Sequence, residues 1–211
     1  MIETLPLECL LEILKLRNEK LFPCLLVNRR WCRIVVPLLW KNMDFHLYDG
    51  RLIRTCLSAL NAEEQAFLIP FEISLPSYSK PLFEYTNYTT SISDHMNIGI
   101  IDWFDYYDES VEDVSIGLQN ALRCSLIAMF LRTNKKLKHL KVNGIIYEEI
   151  TKDFCRNNTI TTLELQSNNF SSKELMVLKE AIANNTTLTS LSLYDSARYQ
   201  ESPEDLYNSR H

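Results

Sequence analysis

Three short stretches in the C-terminal part of the chain repeat one pattern: Leu137-x-x-Leu140-x-Val142, Ile160-x-x-Leu163-x-Leu165 and Leu188-x-x-Leu191-x-Leu193. Successive copies start 23 and then 28 residues apart. In each copy the last two aliphatic residues alternate with polar ones, as in a short strand with one buried face. The intervening stretches Tyr147–Arg156 and Ser172–Ala183 read as helices, the latter with Leu175, Leu178 and Ile182 on one side. A single strand-plus-helix unit cannot bury its own apolar face, so units of this kind must stack. That requirement limits the fold to a mixed α/β one, with parallel strands on one side and helices outside.

The copies are not equal. After Leu165 the second copy continues to Asn168 and Phe170, where the Asn amide is placed to bond backbone groups of a neighbouring unit. Ser196 stands at the matching point of the third copy, and the first has lost it. Upstream, residues 115–133 predict a helix with Leu118, Leu122, Leu126, Met129 and Phe130 inward. The period-2 run Phe71-Glu72-Ile73-Ser74-Leu75, after a helical stretch Asn61–Ile69, predicts an earlier strand of the same sheet.

The first forty residues have a different character. Pro6 fits a first helical turn and Thr4 its cap. Leu7, Leu10, Leu11 and Leu14 recur at helical spacing, while Glu8, Glu12 and Lys15 face away. Leu21 to Val27 is almost continuously apolar, and Trp31, Ile34, Val35, Leu38 and Leu39 make a third helical stripe. A module this short falls below the size at which a core usually sustains itself. It is expected to lean on another surface, and the helix around Leu52–Leu60 is expected to fix it to the rest of the chain.

Charge and composition narrow the function. The net charge is −5, but residues 1–60 carry nine Lys/Arg against six Asp/Glu, so the rest of the chain is acidic. An acidic body with a slightly basic head is a poor polyanion binder, which argues against nucleic acid. No apolar run is long enough to span a bilayer, so no membrane role is expected. The N-terminus lacks a basic region before its apolar stretch and does not read as a signal peptide. The six cysteines show no two-residue pairing and no nearby His, so reduced thiols in a cytoplasmic or nuclear protein are expected, with no metal and no cofactor. His46, His95, His139 and His211 share no spacing with a nucleophile or carboxylate, and four scattered glycines cannot build a phosphate loop. The expectation is a protein without catalytic residues.

Between the two patterned regions lies an acidic and aromatic run, Asp102-Trp103-Phe104-Asp105-Tyr106-Tyr107-Asp108-Glu109. Its Trp103, Phe104 and Tyr107 are expected to pack on the body. The alternative is a segment that presents aromatic side chains to a partner.

The string Leu5-Pro6-x-Glu8-x-Leu10-x-x-Ile13-Leu14, then Val27-Asn28-Arg29-Arg30-Trp31, then Leu38-Leu39-Trp40, resembles an F-box. The resemblance implies docking on a Skp-type adaptor that belongs to a cullin–RING ubiquitin ligase, with the C-terminal part holding a protein substrate. By position, Leu5 and Pro6 would enter the adaptor's groove. Leu10, Leu14, Leu21, Leu25 and Val27 would supply an apolar face, and Trp31 a large anchor. Cys9 stands where an aliphatic residue is usual. The repeated unit in turn resembles a leucine-rich repeat of the long, helix-bearing kind, and the whole layout is similar to fungal F-box/leucine-rich-repeat proteins. This implies four regions: an F-box at 1–42, a connecting helical region with degenerate repeats at 43–133, leucine-rich repeats at 134–198 and a polar tail at 199–211.

In such solenoids the exposed strand positions form the usual binding surface. Here they would be His139, Lys141 and Asn143, then Glu164, Gln166 and Ser167, then Ser192, Tyr194 and Asp195. Two other readings remain open: a scaffold whose N-terminal helices merely cap the solenoid, and a shortened member of a longer family. A cap would bury Leu5, Pro6, Leu10 and Trp31 against the repeats, whereas a docking module leaves apolar surface uncovered.

Overall fold

The computed structural model describes residues 6–15, 21–76, 82–107, 115–144, 150, 153–154, 157–167 and 172–195. The head consists of α1 (Leu7–Lys15), α2 (Phe22–Leu25) and α3 (Arg29–Trp40). Asn28 caps α3, its side-chain oxygen accepting from the Trp31 N–H at 2.9 Å. Leu10, Leu14, Leu21 and Val35 meet in a small core, with Leu25, Trp31, Ile34, Leu38 and Leu39 half-buried around it.

A second and much larger core begins at Met43. Helix α4 (Gly50–Leu57), capped by Asp49, sends Ile53, Cys56 and Leu57 into it. Helix α6 (His95–Tyr107) meets α4 there through Met96, Ile100, Trp103 and Phe104. The junction is tight: the Gly50 N–H donates to Asp102 Oδ2 at 2.6 Å, and a Cβ on Gly50 would lie 2.5 Å from the Trp103 nitrogen. Through α4 the segment after the head is built into the body, as expected. Trp40 at the end of α3 also stacks on Tyr85, with ring centres 4.3 Å apart.

The helix expected over Asn61–Ile69 is instead a four-residue α5 (Ala62–Gln65) running into a 3-10 turn over Ala66–Phe71. Asn61 and Glu64 form a reciprocal capping box, and Pro70 lies in the 3-10 turn. Glu64 is buried and takes the Arg132 guanidinium, at 2.5 Å from Nε and 2.9 Å from Nη2.

The strand expected at Phe71–Leu75 is absent. Glu72 adopts a left-handed conformation (φ 52°) that ends the turn, and residues 73–76 form no regular element. Ile73 and Leu75 still pack partly buried against the large core. Their alternation reflects one-sided burial of an irregular segment. The sheet's first strand is β1 (Ser91–Ile92), too short to leave a periodic trace in the sequence.

Helix α7 (Ile116–Thr133) is capped by Ser115, whose Oγ accepts from the Leu118 N–H. Leu118, Leu122, Leu126, Met129 and Phe130 are buried as expected, and every residue from Asn120 to Leu131 is buried with them. Helix α7 is thus the centre of the body rather than a one-faced cover.

Strands β2 (His139–Asn143), β3 (Thr162–Ser167) and β4 (Ser190–Asp195) follow β1 in a four-stranded parallel sheet of order β1-β2-β3-β4. The register aligns Leu140 with Leu163 and Leu191, and Val142 with Leu165 and Leu193. The repeated aliphatic positions therefore fall side by side, one strand to the next. Gly144, with φ 88°, turns the chain away after β2, and a Cβ there would sit 2.7 Å from the Arg123 guanidinium. Helix α8 (Ser172–Asn184) joins β3 to β4 and buries Leu178, with Ile182 half-covered. The helix expected at Tyr147–Arg156 and the Asn168 position lie mostly or wholly outside the described residues.

Candidate functional site

In the head, α1 is helical with Leu10 and Leu14 on one side, and both are 2% exposed. Leu21 joins them. These three side chains close the head's own core, and Leu25 and Trp31 lie half-buried against it. Pro6 and Val27 are exposed, and Leu5 lies outside the described residues. Among the described head residues, the large apolar side chains that face solvent are Leu7, Ile13, Phe22, Leu26 and Val27, with Phe22 66% and Leu26 77% exposed. Helix α2 has no buried residue at all. Phe22 and Leu26 escaped the sequence reading because the continuous run from Leu21 to Val27 has no period from which to tell inside from outside.

The energetics of the head follow from that sidedness. Four buried side chains contribute roughly 1.5–3 kcal/mol each, against a backbone ordering cost of about 1–2 kcal/mol for every residue fixed. A core of this size gains from any surface that covers Phe22 and Leu26. The head core contains only residues from Leu10 to Leu39, and none from the sheet, so the head does not place Leu10 or Trp31 against the strands.

The exposed strand positions form three rows across the sheet. Ser91, His139, Thr162 and Ser190 make the first, Lys141, Glu164 and Ser192 the second, and Asn143, Gln166 and Tyr194 the third. His139 and Tyr194 are exposed, and Lys141, Asn143, Glu164, Gln166 and Ser192 are half-buried. Ser167 and Asp195 are paired at the ends of β3 and β4. Asp94, which sequence reasoning missed, organises one corner: it accepts from Lys141 Nζ at 3.1 Å and Asn143 Nδ2 at 3.0 Å. Burial pushes the Asp94 carboxyl up, but the bonds from Lys141, its own backbone N–H and Asn143 outweigh it and hold the group below its ordinary range. Nearby, buried Asp44 accepts from the Ser93 N–H at 2.7 Å, tying the turn after the head to the strand face.

Beneath these rows runs a set of asparagines that sequence reasoning also missed. Asn157 Oδ1 accepts from Thr159 N, Thr159 Oγ1 and Ile160 N. Asn185 Oδ1 accepts the same three bonds from Thr187 N, Thr187 Oγ1 and Leu188 N. Asn134 Oδ1 accepts from Lys136 N, and its amide donates to the Thr86 and Thr89 carbonyls. All three stand three residues before the first aliphatic position of a copy, so the full recurring pattern is Asn-x-x-φ-x-x-Leu-x-φ, with φ an aliphatic residue.

Among the described residues no group of three His, Cys, Asp or Glu side chains is arranged to hold a metal, and no helix is long and apolar enough to cross a membrane. The described cysteines are free thiols, with Cys9 exposed and Cys56 and Cys124 buried.

Residues 2–46 match the F-box-like family model, so the head is an F-box-like domain. The match runs just past Met43, where the large core begins. No curated protein and no solved structure gives a significant match to the chain.

Proposed function

We propose that the chain is a substrate-recognition subunit of a Skp–cullin–F-box type ubiquitin ligase. The head docks on the Skp-type adaptor, and the sheet-bearing body holds a protein substrate while the chemistry is done elsewhere in the assembly. The observation that carries this reading is the coincidence of the F-box-like match with a head that has its own core yet turns Phe22, Leu26 and Val27 to solvent. A capping role for the same helices would need Pro6, Leu10 and Trp31 against the strands; Pro6 is exposed and the other two belong to the head core. The body is read as degenerate leucine-rich repeats on the strength of the in-register aliphatic rows and the recurring asparagine. His139, Lys141, Glu164, Gln166 and Tyr194 on the exposed rows are then the substrate-facing side chains, in cytoplasm, nucleus or both.

The test is a binding titration between the purified chain and a Skp-type adaptor. Wild type is expected to bind and a Phe22→Ala/Leu26→Ala variant to lose binding while its helical signal is unchanged. A folded wild type that fails to bind would remove the ligase reading and leave a repeat scaffold.

A further inference from the structure

Helix α6 presents two unlike sides. Met96, Ile100, Trp103 and Phe104 enter the large core, whereas Ile98, Ile101, Asp105 and Tyr106 are exposed on the opposite side. At 100° per residue, Ile101, Asp105, Ile98, Asp102 and Tyr106 fall in one continuous sector. Two exposed isoleucines and a tyrosine on a single helix face make an apolar surface that a solvated helix does not need. Beside its C-terminal half, Tyr48, Asp49, Arg51, Asp102 and Tyr106 line an open groove. The carboxylates are not equivalent. Asp49 is held by Arg51, at 2.6 Å from Nη2, while Asp102 uses one oxygen on the Gly50 N–H. Asp105 stands one turn beyond Asp102 on the same face.

We propose that this face is a docking surface for a short segment of another protein that carries Lys or Arg next to aliphatic residues. Charge complementarity selects that occupant. Asp102 and Asp105 supply negative charge, and the Tyr48 and Tyr106 rings beside them suit an ammonium or guanidinium group through their faces. Ile98 and Ile101 take the aliphatic part. An acidic or purely apolar segment would leave these carboxylates facing it without a partner. None of these residues is among those assigned to adaptor docking or to the strand rows, so the proposal is tested independently of adaptor binding.

Fluorescence anisotropy with the full chain and a labelled twelve-residue lysine–leucine amphipathic peptide tests the assignment. The expected results are saturable binding, at least tenfold weaker binding by an Asp105→Lys/Tyr106→Ala variant, and no binding of the glutamate–leucine counterpart. Asp105→Asn, which changes charge alone, is expected to weaken binding severalfold. Glu63→Lys, on the exposed side of α5, matches the charge change of Asp105→Lys and is expected to have little effect. Equal binding by wild type and the double variant would overturn the proposal. So would equal loss from Glu63→Lys, or a concentration-dependent dimer abolished by the double variant, which would assign the face to a second copy of the chain.

Discussion

The side-chain amide of Asn185 donates to the backbone carbonyl of Asn157, 28 residues earlier and 3.2 Å away. The same relation recurs upstream, where the Asn134 amide donates to the Thr86 carbonyl at 2.9 Å. Asn134 and Asn185 thus shape their own turns through the side-chain oxygen and grip preceding chain through the nitrogen, while Asn157 shares the oxygen's part of the pattern. Asn134, fully buried and satisfied at both ends, is expected to be the costliest to remove. Replacing it with alanine should lower stability by roughly 2–3 kcal/mol, because buried backbone groups lose their partners. Asn185→Ala, nearer an exposed edge, should cost about 1 kcal/mol. Urea titrations with an unchanged slope would check both values.

The two kinds of leucine in the head predict opposite phenotypes. Leu14→Ala should destabilise the head by about 2–5 kcal/mol, as for a truncated core side chain. Leu26→Ala should leave stability nearly unchanged, since the side chain is already in water, and should weaken adaptor binding. Paired thermal melts and binding titrations separate the two effects.

The corner at Asp94 predicts a modest acid sensitivity. Its folded carboxyl lies below the ordinary value of 3.8, so the stabilisation is present above that value and is lost as pH falls through the folded pKa. Both Asp94 and Lys141 are about a third exposed, which limits the contribution to about 0.5 kcal/mol. Asp94→Asn should therefore lower stability at neutral pH by about that 0.5 kcal/mol, make little difference once pH is below the folded pKa, and so flatten the acid limb of the stability curve.

Burial pushes the Cys56 thiol up to about 12 from an ordinary 9.0. In the folded chain it should resist a thiol reagent at neutral pH, while exposed Cys9 reacts. The same shift contributes stability that is fully present below pH 9.0 and is lost as pH rises towards 12, where the unfolded chain ionises first. Timed labelling with mass spectrometry, with and without urea, reads the contrast directly.

Much of the body was legible because aliphatic spacing is a strong constraint. Leu140, Leu163 and Leu191 aligned in the sequence and align in the sheet. What escaped was short or unperiodic. Ser91–Ile92 is too brief to alternate, and Ile73 and Leu75 alternate without pairing. Asp94 acquires its role only when β2 arrives beside it. In the head the apolar positions were legible but their direction was not. Leu21 points in and Phe22 out within one unbroken apolar run, and only the packing of three helices decides between them. The asparagines stand at fixed spacing before the strands, whereas the repeat resemblance points to Asn168, after one.

The last strand carries one more consequence. Leu191 and Leu193 occupy the same columns as Leu163 and Leu165, yet they are 38% and 50% exposed where their neighbours are 2%. Among the described residues β3 lies between two strands, whereas β4 pairs with one. A unit that hooks backward through its own asparagine and offers the same aliphatic columns forward is modular in the manner of a brick course. Copying the unit would extend the stack without altering the units already laid. The number of layers, and with it the breadth of the exposed rows, is then a quantity that duplication alone can change.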